Sequence, residues 1–242
     1  MTPKVRLHLD QPLAPGQLLA PDRDQANYLF AVMRLAPGDR ILAFNGRDGE
    51  WVAEVTQASK RGGALIVVEQ TRPVQLPPDL WLLFAPIKKA RTDFIVEKAT
   101  EMGAARILPV QTDFTNSERL RQDRLQAHAL EAAEQCGGTY VPEVADLQPL
   151  SKLLASWDPS RRILWCDEAR VGSVHSLKGL ERGPWAILIG PEGGFSPAEQ
   201  AKLAALPFVT PVSLGPRILR ADTAAVAALS LWQAELGDWT GA

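Results

Sequence analysis

The sequence predicts an α/β protein in which a small β-rich domain precedes a larger domain built on a parallel sheet. The first observation is a change of pattern at a proline-rich stretch, TRPVQLPPDL, at residues 71–80. Short β-like segments precede this stretch, whereas apolar strands and helical segments alternate after it. The second observation is the composition of the 242 residues, which are 46% hydrophobic and 22% charged and so suit one or two globular domains.

Four segments of the first domain are predicted strands because they are short and rich in β-branched and aromatic residues. They are VRLHL at 5–9, RILAFNG at 40–46, EWVAEVTQ at 50–57 and ALIVVEQ at 64–70. A helix over residues 22–35 interrupts them, with Asp22 or Asp24 as its N-cap. Residues 1–72 are therefore expected to form a small β-barrel-like domain.

The second domain, residues 73–242, alternates apolar strands with helices. The predicted strands are 80–86, 105–110, 161–167, 185–190 and 208–214, and the predicted helices are 91–102, 118–136, 197–206 and 222–236. Such alternation is typical of a parallel sheet with helices on both faces.

Several classes of function are disfavoured by the composition. No segment resembles a signal peptide or has the length of a membrane span, so we expect a cytoplasmic protein without membrane association. Two cysteines and three scattered histidines show no metal-ligand spacing, so no metal is expected. The net charge of −2 gives no support to nucleic-acid binding by bulk charge, so any RNA site must be a local patch.

A glycine-rich loop, IGPEGGFSPAE at residues 189–199, joins a predicted strand to a predicted helix. Ser196, Pro197 and Glu199 form a capping-box pattern that begins the helix. A phosphate-binding loop requires a lysine, which is absent, while Pro191 has no N–H and Glu192 would repel an anion. The loop therefore favours a ligand without phosphates that is bound by backbone groups, although a purely structural turn is the alternative.

A second loop repeats this design at residues 212–229. A strand ends in a Leu214-Gly215-Pro216 turn, and an alanine-rich helix follows with Asp222 as its predicted N-cap. Arg217 and Arg220 lie in the connection. Because ligands of open α/β sheets bind at the carboxyl ends of the strands, the two loops predict one shared pocket.

The segments IGPEGGFSPAE and LGPRILRADTAAVAAL together resemble the RsmE family of ribosomal RNA uridine-N3 methyltransferases, within the SPOUT superfamily. Residues 28–46 resemble the family's N-terminal PUA-like barrel, and residues 88–103 and 124–137 resemble its two middle motifs. The chain departs from the family pattern at Gly138, where arginine commonly follows the EQ motif, and at Asp222, where glutamate is usual.

The resemblance implies a parallel sheet with a C-terminal trefoil knot, S-adenosylmethionine bound in that knot, and a homodimer. It places the cofactor on both loops and on a third wall at residues 164–168. The implied cofactor-binding residues are Leu164, Ile189, Gly190, Pro191, Glu192, Gly193, Gly194, Leu214, Gly215, Ile218, Leu219, Arg220, Thr223 and Ala224. Trp232 is a candidate for the dimer interface.

The implied substrate is a uridine of 16S ribosomal RNA in the small subunit. Uracil N3 carries a proton at neutral pH, so a fixed cation that stabilises the developing N3 anion would assist methyl transfer. Arg220 is the predicted catalytic residue in this electrostatic role, because a guanidinium does not act as a base. Either no general base takes part, or the proton acceptor is water or a carboxylate such as Glu101.

Basic residues are the predicted RNA contacts. Lys88, Lys89 and Arg91 form the densest cluster, and Arg6 and Arg34 are further candidates in the first domain. Glu131 and Gln135 share a helix face that lines the active site or the dimer surface, and an ordinary pair on the helix surface is the alternative.

Three alternatives remain open from the sequence. One is a non-catalytic RNA-binding module, the second is a SPOUT enzyme that methylates the 2′-O of ribose in rRNA or tRNA, and the third is a phosphate-binding nucleotide enzyme, which the missing lysine disfavours.

Overall fold

A computed structural model describes residues 3–59, 62–116, 120–167, 177 and 179–239 of the chain. The start of the helix predicted from residue 118, and Glu168 of the predicted third wall, lie outside these ranges. The chain folds into two compact units. The first contains Met1–Leu76 together with Ala133–Val141, and the second contains Pro77–Ala132 together with Pro142–Ala242. The boundary predicted after residue 72 stays a prediction.

The first unit is built on five strands: β1 (Arg6–His8), β2 (Leu18–Leu19), β3 (Arg40–Phe44), β4 (Glu50–Ser59) and β5 (Gly62–Arg72). They form one sheet in the order β1-β3-β4-β5-β2. β1 pairs with β3 in parallel, and the other neighbours are antiparallel. All four predicted strands are present, whereas β2 has only two residues and gave no sequence signal.

The helix of the first unit begins where the sequence predicts. Asp22 is the N-cap of α1 (Arg23–Ala26) and forms a capping box with Gln25. The chain then continues as a π-helical segment, Asn27–Val32, rather than as a regular α-helix. Leu29 of this segment is fully buried against the sheet core, which includes Ile41 and Leu65.

Arg6 belongs to a buried ion network inside the first unit. Its Nε donates to the Glu50 carboxylate at 2.6 Å, and its Nη atoms donate to the carbonyls of Ala133 and Gly138 at 2.7 and 2.6 Å. Its guanidinium also lies 3.8 Å from the centroid of the Phe44 ring, and only 11% of its side chain is exposed. These donors are used within the protein, so Arg6 would have to give up this network to contact RNA, and its predicted RNA contact stays a prediction.

The second unit is built on the strands β6 (Leu80–Phe84), β7 (Arg106–Gln111), β8 (Glu143–Val144), β9 (Gln148–Pro149), β10 (Arg162–Cys166), β11 (Trp185–Ile189) and β12 (Val209–Val212). Their order in the sheet is β12-β10-β11-β6-β7-β8, with β9 also paired to β7. These strands pair in parallel. The predicted parallel sheet is thus confirmed, and β11 is buried along its whole length, as expected for a strand covered on both faces.

Five helices accompany this sheet within the described ranges: α2 (Lys89–Glu101), α3 (Gln122–Cys136), α4 (Leu150–Ala155), α5 (Pro197–Ala204) and α6 (Ala221–Glu235). The short helix α4 is missing from the sequence-based prediction. α3 ends at Cys136, and the positive φ of 77° at the following Gly137 suits the predicted glycine stop. Among the helices that the structure describes, none is long and apolar enough to cross a membrane.

Helices α2 and α6 pack against each other. At their C-terminal ends, the side-chain amide of Gln233 donates to the Met102 carbonyl at 2.7 Å. Trp232 is 1% exposed, so it belongs to the core of its own chain. The prediction that Trp232 lies in a dimer interface is therefore wrong, because a side chain enclosed by its own chain cannot contact a partner.

Candidate active site

The carboxyl ends of β10, β11 and β12 open onto one cavity of about 280 Å³ within the second unit. This volume is close to the lower end of the range for small-molecule sites, roughly 300 Å³. Both loops singled out in the sequence line the cavity, so the prediction of a shared pocket is confirmed. The predicted cofactor residues among its lining are Ile189, Gly190, Pro191, Glu192, Gly194, Leu214, Gly215, Ile218, Leu219, Arg220 and Ala224.

Three predicted cofactor residues do not line this cavity. Leu164 is buried inside the sheet, where it pairs with Ile187 and Thr210. Gly193 faces Phe114, since a Cβ built on Gly193 would lie 3.6 Å from the Phe114 Cβ. Thr223 is exposed on α6.

The third wall of the cavity comes from Cys166 and Asp167, at the end of β10 rather than in its middle. Burial raises the pKa of the Cys166 thiol to about 12, so this side chain stays neutral at ordinary pH. A neutral thiol is a poor nucleophile, and Cys166 therefore contributes shape rather than covalent chemistry.

Phe195, Ser213 and Ala221 also line the cavity but were not predicted. The ring of Phe195 packs edge-on against Trp165 at 5.9 Å between centroids. A Cβ on Gly190 would lie 2.7 Å from this ring, so Gly190 has to be a glycine for Phe195 to occupy its place. The only sequence signal for Phe195 was its position directly after the glycine pair.

The first loop is held by the predicted capping box and by two further hydrogen bonds. Ser196 is the N-cap of α5, and Ser196 and Glu199 form a complete capping box. Gly194 has a φ of 68°, and its N–H donates to the Pro191 carbonyl at 2.9 Å. Asp113, which follows β7, adds a further connection because its N–H donates to Glu199 at 3.0 Å. The loop is therefore fixed at its exit by two different segments.

The second loop differs from prediction at the start of its helix. The N-cap of α6 is Arg220, whose backbone is extended and whose carbonyl accepts from the Ala224 N–H at 2.7 Å. The prediction of Asp222 as the N-cap is wrong, because Asp222 already lies in the first helical turn and accepts from the Thr223 N–H. Its carboxylate still lies at the positive end of the helix dipole, where it is favourable.

Arg217 and Arg220 both line the cavity, and both residues are exposed. Within the described ranges, no hydrogen bond or ion pair engages the guanidinium of Arg220. The charge of Arg220 is therefore available to a ligand at the cavity, as its predicted role requires.

Glu101 lies at the opposite end of α2 from the cavity. α2 begins just after the carboxyl end of β6, and its 13 residues span about 20 Å at 1.5 Å per residue. The Glu101 carboxylate accepts from Lys98 at 2.6 Å. Glu101 therefore lies away from the cavity of its own chain and is bonded within its helix, and its role as a proton acceptor stays a prediction.

The predicted RNA-binding residues have different surroundings. Lys88 and Lys89 are exposed at the start of α2, whereas Arg91 is paired with Asp222. Arg34 is exposed in the first unit, in a left-handed conformation with a φ of 56°. The remaining two, Glu131 and Gln135, are exposed on α3.

The comparisons with known proteins agree with this architecture. Residues 74–233 match the family model described as an RNA methyltransferase domain, and residues 21–68 match the RNA methyltransferase PUA domain. The chain therefore belongs to this family of RNA methyltransferases.

Its relatives indicate a particular branch of the family. The chain is 28% identical over 229 residues to Ribosomal RNA small subunit methyltransferase E of Rickettsia conorii, which covers 93% of each chain. It is 31% identical over 215 residues to the protein of that name from Synechocystis sp., across 85% of this chain and 69% of the relative. A solved structure of a putative methyltransferase from Legionella pneumophila, in complex with the bound cofactor SAM, has a TM-score of 0.87 at 27% identity and covers 97% of this chain and 98% of that one. The resemblance predicted from the two loop motifs is thus confirmed.

Proposed function

We propose that this chain transfers the methyl group of S-adenosylmethionine to N3 of a uridine in 16S ribosomal RNA. The observation that carries this proposal is the cavity between the two glycine loops, with Arg220 at its edge, in a chain of the RNA methyltransferase family. The names of the relatives support small-subunit ribosomal RNA as the substrate. The assignment of N3 as the methylated atom rests on the resemblance of the loop motifs to the RsmE family.

The lining of the cavity fits S-adenosylmethionine better than a nucleotide phosphate. Its lining within the described part of the chain contains no lysine, and Pro191 offers no N–H to a phosphate. Carboxylates of Asp167 and Glu192 and guanidinium groups of Arg217 and Arg220 surround it, which suits a ligand that carries both signs of charge. When bound, S-adenosylmethionine supplies an activated methyl group on its sulfonium.

The role of Arg220 in this proposal is electrostatic. Its guanidinium would lie beside the uracil carbonyls and stabilise the negative charge that develops as N3 loses its proton. The backbone of Arg220 is held at the start of α6, so its side chain extends from a fixed point beside the cavity. The proton of N3 would pass to water.

Lys88 and Lys89 are the proposed phosphate contacts of the second unit, and Arg34 is the proposed contact of the first. Exposed cations that are not engaged in ion pairs bind phosphates at the lowest cost, because no pair has to break. Glu131 and Gln135 remain candidates for the active site or the dimer surface. The low net charge of −2 makes recognition of RNA shape an important part of binding.

The homodimer, the trefoil knot and the cytoplasmic location also belong to this proposal. Phe94 on α2 and Leu231 on α6 are apolar and exposed, and such side chains on two packed helices suit a dimer surface. A ribosomal RNA substrate implies the cytoplasm.

The decisive experiment measures methyl transfer from labelled S-adenosylmethionine to small ribosomal subunits that lack the modification. We expect label recovered as N3-methyluridine, and we expect Arg220→Ala to reduce kcat by roughly 100-fold or more, the cost of losing one preorganised charge. Binding of S-adenosylmethionine by the variant should persist. Lys152→Ala, an exposed residue of α4 outside the cavity lining, is the control.

Other outcomes of this experiment would select other functions. Label recovered on a ribose 2′-O would replace N3 chemistry with 2′-O methylation. Retained RNA binding without any binding of S-adenosylmethionine would indicate a non-catalytic RNA-binding module. Competition by ATP or GTP for the cavity would revive the nucleotide enzyme.

A further inference from the structure

Arg91 and Asp222 form an ion pair that links the first turn of α2 to the first turn of α6. The Nη1 of Arg91 donates to Oδ2 of Asp222, although the two residues are 131 positions apart in the chain. The side chain of Arg91 is 35% exposed and that of Asp222 is 13% exposed. The carboxylate is therefore largely removed from water, and it has a strong requirement for a cationic partner.

The electrostatics of both helix ends explain why this pair forms. Lys88, Lys89 and Arg91 gather at the N-terminus of α2, and the first turn of this helix contains no acidic residue. Cations at the positive end of a helix dipole are destabilising, whereas Asp222 at the N-terminus of α6 is stabilising. The Asp222 carboxylate therefore offsets the unfavourable charge of Arg91, while Lys88 and Lys89 remain exposed.

The same carboxylate controls the start of α6. Oδ1 of Asp222 accepts from the Thr223 N–H at 3.0 Å, so the side chain is bonded to its own helix and to α2 at once. Arg220 lies two positions earlier as the N-cap, and in the part of the chain that the structure describes its guanidinium has no hydrogen bond to the protein. The ion pair thus holds the helix turn from which the Arg220 side chain extends to the cavity.

We infer that Arg91 is a positioning residue and not an RNA contact: through Asp222 it holds the start of α6 so that Arg220 stays at the cavity. This inference rests on the proposed role of Arg220 in methyl transfer. It corrects the prediction of Arg91 as a phosphate contact, because a guanidinium that neutralises Asp222 would have to break this pair to reach RNA.

Steady-state kinetics on small subunits separate the two roles of Arg91. Arg91→Ala and Asp222→Ala should each lower kcat roughly 10- to 100-fold, as expected when a catalytic group is displaced by a fraction of an ångström to an ångström. The KM for the subunits and the salt dependence of RNA binding should stay at the wild-type values. The double variant should be no slower than the slower single variant, because either substitution already removes the pair.

Two matched variants complete the experiment. Asp222→Glu keeps the negative charge and should retain most of the wild-type kcat. If the charge were unimportant and Asp222→Ala acted only by reducing global stability, the charge-conserving variant would have no reason to restore kcat. Lys89→Ala removes an exposed cation from the same helix turn as Arg91. It should raise KM and reduce the salt slope by about 0.7 to 0.9, the range for one lost phosphate contact in single-stranded and double-helical nucleic acid, with little change in kcat.

The opposite results would overturn the inference. If Arg91→Ala raises KM, reduces the salt slope and adds fully to Asp222→Ala, then Arg91 contacts phosphate. If the wild-type protein binds S-adenosylmethionine but methylates no RNA, the proposed function fails first, and with it the catalytic meaning of the pair. If the wild-type enzyme is active and Arg91→Ala and Asp222→Ala keep its kcat, the inference about Arg91 fails while the proposed function stands.

Discussion

At the scale of single residues, the cavity depends on glycines that allow neighbouring side chains to approach. Gly190 directly follows β11 and faces the ring of Phe195, which is 6% exposed and packs on Trp165. The sequence identified this glycine as part of a ligand loop. A glycine is needed at this position because the ring of Phe195, five positions later, leaves no space for a Cβ. Phe195 was not predicted to line the cavity.

Gly190→Ala tests this steric role. Its Cβ would lie 2.7 Å from the Phe195 ring, so the ring must shift, at a cost of about 1–3 kcal/mol for overpacking. Because Phe195 lines the cavity, affinity for S-adenosylmethionine should fall as well. Calorimetric binding and denaturant unfolding measure the two effects.

Gly193→Ala is the matched control for the unfolding measurement. Its Cβ would lie 3.6 Å from the nearest atom of Phe114, an ordinary van der Waals distance. An equal loss of stability in both variants would show that general loop strain, and not contact with Phe195, makes Gly190 necessary.

At the scale of elements, most of the helices and strands followed from local signals. The N-cap at Asp22, which is one of two predicted positions, the capping box at Ser196, the glycine stop after α3 and the apolar strands of the parallel sheet are all present. The elements that were not predicted also have physical explanations. β2, β8 and β9 have two residues each, which is too few for a periodic pattern. The N-cap of α6 is Arg220, which caps the helix with its backbone only, so no capping side chain indicates this position in the sequence.

Ser196→Ala tests the contribution of the predicted cap to α5. The Ser196 hydroxyl accepts from the Glu199 N–H at 3.3 Å and donates to the Asp113 carboxylate. We expect a loss of about 1 kcal/mol in the free energy of unfolding, the usual cost of removing such a cap. Ser196→Thr retains the hydroxyl and should lose much less. Equal losses in denaturant unfolding would argue against the hydrogen bonds as the cause.

At the scale of the whole molecule, buried ion pairs join segments that are remote in the chain. Glu50 on β4 accepts from both Arg6 and Arg72, and these arginines also donate to carbonyls at the end of α3. Burial raises the pKa of Glu50, but hydrogen bonds from Arg72, Arg6 and Thr71 outweigh it and lower the pKa from 4.5 to about 2. Glu50 therefore contributes stability at neutral pH that is lost in acid.

The lowered pKa predicts a definite dependence of stability on pH. Because the folded-state pKa lies below the unfolded value, the contribution of Glu50 is complete above about pH 5 and is lost as the pH falls toward 2. The shift corresponds to roughly 3 kcal/mol. Glu50→Gln should therefore be destabilised at pH 7. Between pH 5 and pH 2 its free energy of unfolding should fall less steeply than that of the wild-type protein, because the variant has no carboxylate to protonate at this position.

Glu54→Gln is the control on the same strand. The ion pair of Glu54 with Arg40 is exposed, with 33% and 49% of the side chains accessible, so we expect a change of about 0–1 kcal/mol at pH 7. If both variants show the same pH profile as the wild-type protein, the network around Glu50 does not control acid stability.

The sequence by itself determined the α/β class, the parallel sheet, the two ligand loops and the family. These features rest on local signals, namely apolar periodicity, caps, glycines and short motifs, which are complete within about 20 residues each. The tertiary structure alone decided the roles of several charged and aromatic residues. Arg6 and Arg91 are engaged by carboxylates, Trp232 is enclosed in the core, and Glu101 lies at the far end of its helix. The reason is that an isolated arginine or tryptophan has the same appearance in sequence whatever it contacts, and its partner here lies on an element that only folding brings near.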